Sequence, residues 1–123
     1  MSVRRVMPDV RVESQEEMRE HRDFYGLLGL EEVMDMGWVM TLASPSNPTA
    51  QISFFTEDRG ASVVPDLSVE VEDVDAVYAR VRAAGAEIVR ELRDEEWGVR
   101  RFFARAPNGW VVNVVTHRTG AGR

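Results

Sequence analysis

The feature that most constrains this chain is an internal repeat. "LGLEEV" at 28–33 falls on "AGAEIV" at 84–89, and "QISFFT" at 51–56 falls on "VVNVVT" at 111–116. A strand, a helix and three strands are expected around the first set, and the same order around the second. A period of about half the chain is too long for a solenoid, so it reads as two tandem copies of one β-α-β-β-β module. Module one is placed at 1–59 and module two at 64–118, with a frayed tail at 119–123. The polar connection "EDRGASVVP" (57–65) carries the boundary, near Gly60 to Pro65. At 123 residues the two modules make one domain, 1–123, with a single core.

Local patterns set the elements. "RRVMPDVRVE" (4–13) reads as a strand and "SQEEMREHRDFYGLLGL" (14–30) as a helix. Ser14 followed three residues on by Glu17 is a capping box. Met18, Tyr25 and Leu28, with Phe24 and Leu27 beside them, form the helix's apolar stripe, and Gly29 stops it. Three short strands follow (31–36, 38–44, 50–56). The second copy runs as a strand (66–71), a helix capped by Asp73 and ended by Gly85, and strands at 87–92, 99–106 and 110–116. Val74, Val77, Tyr78 and Val81 are that helix's buried stripe. One helix covers one face of each mixed sheet. The other face of "WVVNVV" (110–115) is also apolar and has to be covered by the other module or a second chain. Two curved mixed sheets enclosing a cavity give an α+β fold, and the cavity is where function is expected.

Composition narrows the partners. The net charge is −6, with no block of Lys or Arg, which argues against nucleic acid and leans towards neutral or cationic ligands. No apolar run is long enough for a membrane span or a secretory signal, so no membrane partner is expected and the cytoplasm is the default compartment. The absence of cysteine excludes thiolate metal sites and cysteine nucleophiles.

Asn113 is the one amide in a strand that reads as buried on both faces. Alternation puts Val111, Asn113 and Val115 on one side, and the repeat puts Gln51, Ser53 and Phe55 on the matching side of the first module. Asn113 is either a structural amide bonded to a neighbouring strand or water, or a cavity group that reads a ligand. Trp97, in the turn "EEWG", is a candidate rim aromatic for stacking on a flat ligand. Arg100 and Arg101 beside it are either surface charge, paired with the acidic "RDEE" (93–96), or part of that rim. Asp66 and Glu70 alternate on one face of the fifth strand and are the candidate bases, with an ion pair or a solvated rim as the alternative.

Three stretches carry a family resemblance. "RDFYGLLGLE" (22–31), "VEVEDVDAVYARVRAAGAEIV" (69–89) and "EEWGVRRFFARAPNGWVVNVV" (95–115), in that order, resemble the vicinal oxygen chelate superfamily, the glyoxalase, bleomycin-resistance and extradiol-dioxygenase group. The resemblance covers nearly the whole chain and implies the glyoxalase/bleomycin-resistance fold, commonly closed by pairing modules within or between chains, here as a homodimer. Catalytic members hold a divalent metal with His and Glu from four strands. Carried over by position, those ligands fall on Met7, Ser53, Asp66 and Asn113. A thioether, a hydroxyl and an amide are poor donors for such an ion, so no metal and no cofactor is expected.

The function expected first is a metal-free small-molecule-binding protein, of bleomycin-resistance character, that sequesters a drug or metabolite. Its ligand-binding residues are Met7, Gln51, Ser53, Phe55, Asp66, Trp97, Arg101, Val111 and Asn113. The alternative is a metal-independent isomerase or lyase using Asp66 or Glu70 as base. A second alternative is a metal-dependent glyoxalase- or dioxygenase-like enzyme, and the fold alone does not decide among the three.

Overall fold

The computed structural model describes residues 2–118; the tail expected at 119–123 lies outside the described residues. The elements follow the order β1 (Val3–Arg11), α1 (Gln15–Gly26), β2 (Glu31–Asp35), β3 (Val39–Ser44), β4 (Asn47–Phe55), β5 (Leu67–Val71), α2 (Val74–Ala83), β6 (Ile88–Asp94), β7 (Val99–Arg105) and β8 (Val111–His117). Strand, helix and three strands occur twice, an α+β fold with mixed pairing. The described residues divide into two compact units, one of Val6–Val64 and one of residues 2–5 and 65–118.

In the first unit the strand order is β2-β3-β4-β1. β1 and β4 run parallel, with Asp9 opposite Ser53, while β2·β3 and β3·β4 are antiparallel. Parallel neighbours need a crossover, and the crossover here carries α1. Ser14 caps α1 by accepting from Glu17 N, and the Glu17 carboxylate accepts from Glu13 N. Met18 packs with Val12, Met40, Leu42 and Phe54, and Tyr25 lies against them. The rest of the expected stripe is not buried: Phe24, Leu27 and Leu28 are exposed, Leu27 at 85%. The helix ends at Gly26, earlier than expected, so Leu27 and Leu28 lie in the closing turn rather than on the helical face.

The second unit repeats the plan with β5-β8-β7-β6. β5·β8 is parallel, and β8·β7 and β7·β6 are antiparallel. Asp73 caps α2 by accepting from Ala76 N. Val74, Val77, Tyr78 and Val81 pack on Val71, Phe102, Ala104 and Val114, so this stripe is where the periodicity puts it. Gly29 and Gly85, equivalent in the repeat, both take left-handed backbone after their helices, with φ of 105° and 83°.

Two substitutions separate packing from backbone. Phe102→Ala, in the fully buried core, is expected to lower unfolding free energy by about 3–5 kcal/mol. Gly85→Ala meets no atom within 4 Å of the new Cβ, so only its positive φ counts, at about 1–2 kcal/mol. Urea denaturation of both variants checks the order; equal losses would contradict it.

Candidate functional site

In each unit the helix takes one face of the sheet, and polar side chains gather on the other. In the first unit Ile52 and Phe54 lie under α1, so alternation sends Gln51, Ser53 and Phe55 to the far face. Ser53 is buried and lies 2.6 Å from the Thr41 hydroxyl. Its own hydroxyl donates to Met7 Sδ at 3.2 Å, so Thr41 is left as donor to Ser53 Oγ. Two of the expected residues, Met7 and Ser53, therefore meet. Phe55 packs on Trp38 with ring centroids 6.0 Å apart, and Gln51 Nε2 donates to the Pro48 carbonyl.

In the second unit the far face carries a cross-strand row. Ser68 is opposite Asn113, Asn113 opposite Phe103, and Phe103 opposite Arg90. Asn113 Nδ2 donates to Ser68 Oγ at 3.0 Å, and its Oδ1 is buried with no hydrogen-bond partner among the described residues. Ser68 carries more than this one bond. Arg90 reaches the row through a backbone irregularity. Ile88 and Leu92 pack towards α2, and strict alternation would place Arg90 with them. The β6·β7 register shifts on both sides of Arg90, and these bulges turn its side chain to the opposite face, over the Phe103 ring.

Next to this row lies a buried ion cluster. Glu95, in the turn after β6, accepts from Arg90 Nη2 at 2.9 and 3.1 Å and from Arg101 Nε at 2.6 Å. The side chains of Arg90, Arg101 and Glu95 are only 9%, 4% and 7% exposed. The Arg101 guanidinium lies between the Trp97 and Phe103 rings, 5.1 and 4.9 Å from their centroids. The Arg101 pairing with the acidic "RDEE" segment is therefore made, but in the interior. Arg100 takes the surface part, bonding Asp75 and Asp94. Burial pushes the Arg90 guanidinium below its ordinary pKa against the pull of Glu95, and the charges of Arg101 and Arg93 press the same way.

Neither candidate base is a free carboxylate. Asp66 precedes β5, and its Oδ2 accepts from Val111 N at 2.8 Å. Glu70 is half-buried; one oxygen lies 3.3 Å from Arg5 Nε and the other 2.6 Å from His117 Nδ1. Arg5, Asp66, Glu70, Val111, Asn113 and His117 all belong to the second unit.

The positions that resemblance assigns to a metal do not fit one. Met7 sulfur accepts a hydrogen bond from Ser53, the Asp66 carboxylate is bonded to backbone, and Asn113 presents an amide. Among the described residues no group of three or more His, Cys, Asp or Glu is placed to hold a metal ion. Sequence reading missed Arg90 and Glu95 as site residues, and it missed Thr41 as the partner of Ser53, Ser68 as the partner of Asn113 and His117 as the partner of Glu70. The repeat held a usable signal for Arg90. The equivalent of Arg90 is Met34, and β2 carries the same register shift between Glu32 and Met34.

The Glyoxalase family model, described as the Glyoxalase/Bleomycin resistance protein/Dioxygenase superfamily, matches residues 15–114. Among solved structures, a superfamily member from Vibrio splendidus 12B01 aligns with a TM-score of 0.66 at 16% identity, covering 94% of this chain and 99% of that one. Methylmalonyl-CoA epimerase from Mycobacterium tuberculosis aligns with a TM-score of 0.60 at 22% identity, over 94% and 87%. The Mn(II)-bound glyoxalase from Novosphingobium aromaticivorans gives 0.60 at 20% identity, over 93% of this chain and 38% of that one. These likenesses show a shared fold. No curated protein matches the sequence.

Glu95 is the counter-charge of a buried cluster, and its loss is expected to be felt in stability. Glu95→Gln leaves two buried guanidiniums facing a neutral amide and should lower stability by about 3 kcal/mol or more. Glu87→Gln, which removes the exposed partner of Arg105, should be close to neutral. Equal midpoints for the two variants in urea would show that the cluster is not held by Glu95.

Proposed function

The chain belongs to the Glyoxalase/Bleomycin resistance protein/Dioxygenase superfamily, and we propose that it is a metal-independent binder of a small organic molecule. The single observation that carries this reading is Asn113. At the position where the resemblance implies the last metal ligand, a neutral amide gives its NH₂ to Ser68 and keeps a buried Oδ1 with no partner among the described residues. Buried acceptors of this kind are rare in native folds, and such an atom takes its bond from water or from a ligand. Turning the amide over would only exchange the orphan, leaving its NH₂ group in place of its oxygen. The surroundings support a reader rather than a metal ligand: apolar Val111 and Val115 along the strand, Phe103 beside it, and a hydroxyl at Ser68.

A second reading, a metal-independent enzyme, has one observation in its favour. The carboxylate–imidazole pair Glu70–His117 holds one ring nitrogen and leaves the other on a half-exposed side chain. The base in that case is His117, oriented by Glu70, rather than Glu70 itself. Proton exchange next to a substrate carbonyl, lost in His117→Gln, would favour it. The reading also expects a soluble intracellular homodimer. Among the described residues no helix is long and apolar enough to cross a membrane, and Phe24, Leu27 and Leu28 are apolar side chains open to a second copy. A sedimentation mass of one chain at micromolar concentration would contradict the dimer.

Asn113→Ala is expected to weaken a bound organic ligand by about 1–2 kcal/mol. It also removes the buried bond to Ser68, so stability is expected to fall by about 1 kcal/mol, and Ser68→Ala, which loses that bond and keeps the Asn113 oxygen, should match the stability loss without the loss of ligand. A thermal-shift screen of neutral and charged compounds, followed by calorimetry, checks this. The reading fails if no compound stabilises the wild-type protein. Asn113→Glu restores a carboxylate without restoring the other donors, so elemental analysis should find no stoichiometric divalent metal in that variant. A tightly held ion there would reopen the metal-dependent enzyme reading.

A further inference from the structure

We propose that the slot between α2 and β5, on the helix side of the second unit's sheet, binds the alkyl chain of a monocarboxylic acid whose carboxylate meets Arg80. The slot lies on the opposite side of the sheet from Asn113, so it goes beyond the binding reading and does not depend on it.

The slot exists because one copy of the repeat lacks the rings that fill the other. Leu30 N donates to Tyr25 O and Ala86 N to Val81 O, the same bond closing both helices, so Tyr25 and Val81 are equivalent. His21, Phe24 and Leu28 then fall on Val77, Arg80 and Ala84, and on the sheet beneath the repeat pairs Phe54 with Val114. In the first unit His21 and Tyr25 pack on Phe54, with ring centroids 5.0 and 5.5 Å away. In the second unit Val77, Val81 and Val114 stand at those three positions. Tyr78, the one ring of α2, packs on Phe102 of β7 instead and does not line the slot. The space left open is about 580 Å³, against about 280 Å³ beside His21, Phe24 and Tyr25. That larger volume falls within the range of small-molecule sites, about 300–1,000 Å³.

The walls define the body of the ligand. Val69 and Val71 of β5 and Val114 of β8 form the floor, and α2 lines one side with Val77 and Val81. Glu72 N donates to the Ser2 carbonyl at 3.0 Å, which holds Val3 along the other side. Val3 is 59% exposed, and Val69, Val77 and Val81 are only partly buried, so apolar surface remains for a ligand to cover. Among the described residues no aromatic ring lines the slot, which leaves nothing for a flat ligand to stack on. From Val77 to Ala84, the end of the slot, the helix rises roughly 10 Å at 1.5 Å per residue. An unbranched alkyl chain of medium length matches that shape and that lining.

Charge defines its end. Arg80 stands on the exposed rim of the slot and makes no ion pair or side-chain hydrogen bond among the described residues. The neighbouring charges are engaged elsewhere: Arg82 lies over the Tyr78 ring, and Glu72 is shared by Arg4 and the Ser2 hydroxyl. A carboxylate at the end of the chain gives Arg80 a counter-charge, whereas a cationic head group would be repelled there. Because Arg80 is exposed, its ion pair contributes little by itself, and the covered chain supplies most of the affinity.

The probe is octanoate, titrated calorimetrically into the full chain beside octanamide and hexanoate. Octanoate is expected to bind about threefold tighter than octanamide, the scale of an exposed ion pair. It should bind about fivefold tighter than hexanoate, which leaves fewer methylenes covered. Arg80→Gln should abolish the first preference and keep the second. Val81→Tyr returns the ring that the first unit carries, so it should weaken octanoate about tenfold without lowering the melting temperature, since it fills space rather than opening it. Asn113→Ala should leave octanoate binding unchanged, which separates the slot from the site on the other face. If Val81→Tyr does not fold, the effect of Arg80→Gln and octanoate-induced shifts of the Val77 and Val114 methyl resonances carry the test. Equal binding of octanoate and octanamide by the wild-type protein overturns the acid, and an affinity unchanged in Val81→Tyr overturns the slot. The proposal also fails if the wild-type protein binds no octanoate; a sedimentation mass that falls from two chains to one in Val81→Tyr then gives the slot to a second copy.

Discussion

Parallel pairing between the first and last strand of each module is the constraint on which the rest depends. β1 with β4, and β5 with β8, run in the same direction. A parallel pair cannot be closed by a tight turn, so each module spends its longest connection on a helix that crosses one face of the sheet. That helix settles which alternate residues become core. In the second unit it selects Val69, Val71, Val112 and Val114. The residues between them, Ser68, Glu70, Val111, Asn113 and Val115, are sent together to the other face. The polar side chains of the site are therefore grouped by the same backbone geometry that packs the core, and a one-residue slip in β8 would bury Asn113 under α2.

The ion cluster of the second unit shows what such a face can hold. Desolvating guanidiniums is costly, and one carboxylate shared by Arg90 and Arg101 compensates that cost through direct bonds and through the flanking aromatic rings. Replacing all three by apolar residues of similar volume would stabilise many folds as well or better. A buried charged group with a donor left over is therefore poor evidence for stability and better evidence for recognition. The bulges on either side of Arg90 support this, because they give up regular pairing in β6 to bring that side chain over Phe103.

The sequence was most legible where a local rule and the tertiary structure agree. The repeat, Asp73 as a cap, the glycines after both helices and the stripe of α2 all follow from spacing, and the structure places them accordingly. Leu27 and Leu28 were misread because the apolar spacing runs past the point where α1 stops hydrogen-bonding. Asp66 was read as a strand residue on the face of Glu70, but it lies one residue before β5 and is tied to Val111 N. Arg90 could not be found by alternation at all. A period-2 rule assumes an unbroken strand, and "EIVREL" conceals a change of face between Ile88 and Arg90 that only the pairing partner reveals. The pairing of Arg101 with Glu95 was visible as a charge pattern, whereas its burial depends on Trp97 and Phe103 closing over it, which no local signal states.

The same reasoning bears on how one fold serves both metal chemistry and plain binding. A divalent site needs several anionic or imidazole donors aimed at one point, each with its other atoms bonded so that the lone pairs stay available. Exchange those donors for a thioether, a hydroxyl and an amide, and the polar atoms turn to one another or to the backbone, as Thr41, Ser53 and Met7 do in the first unit. Some polar atoms are left without such a partner. Among the described residues the remainder is not confined to the positions that the resemblance assigns to a metal. It includes Asn113 and Arg90, an arginine that the metal scheme never used. A protein that had merely lost a metal would be expected to leave orphaned donors only at the ligand positions themselves. The orphan on Arg90 lies elsewhere, so the face has a polarity of its own, with a cation at one end and an amide at the other.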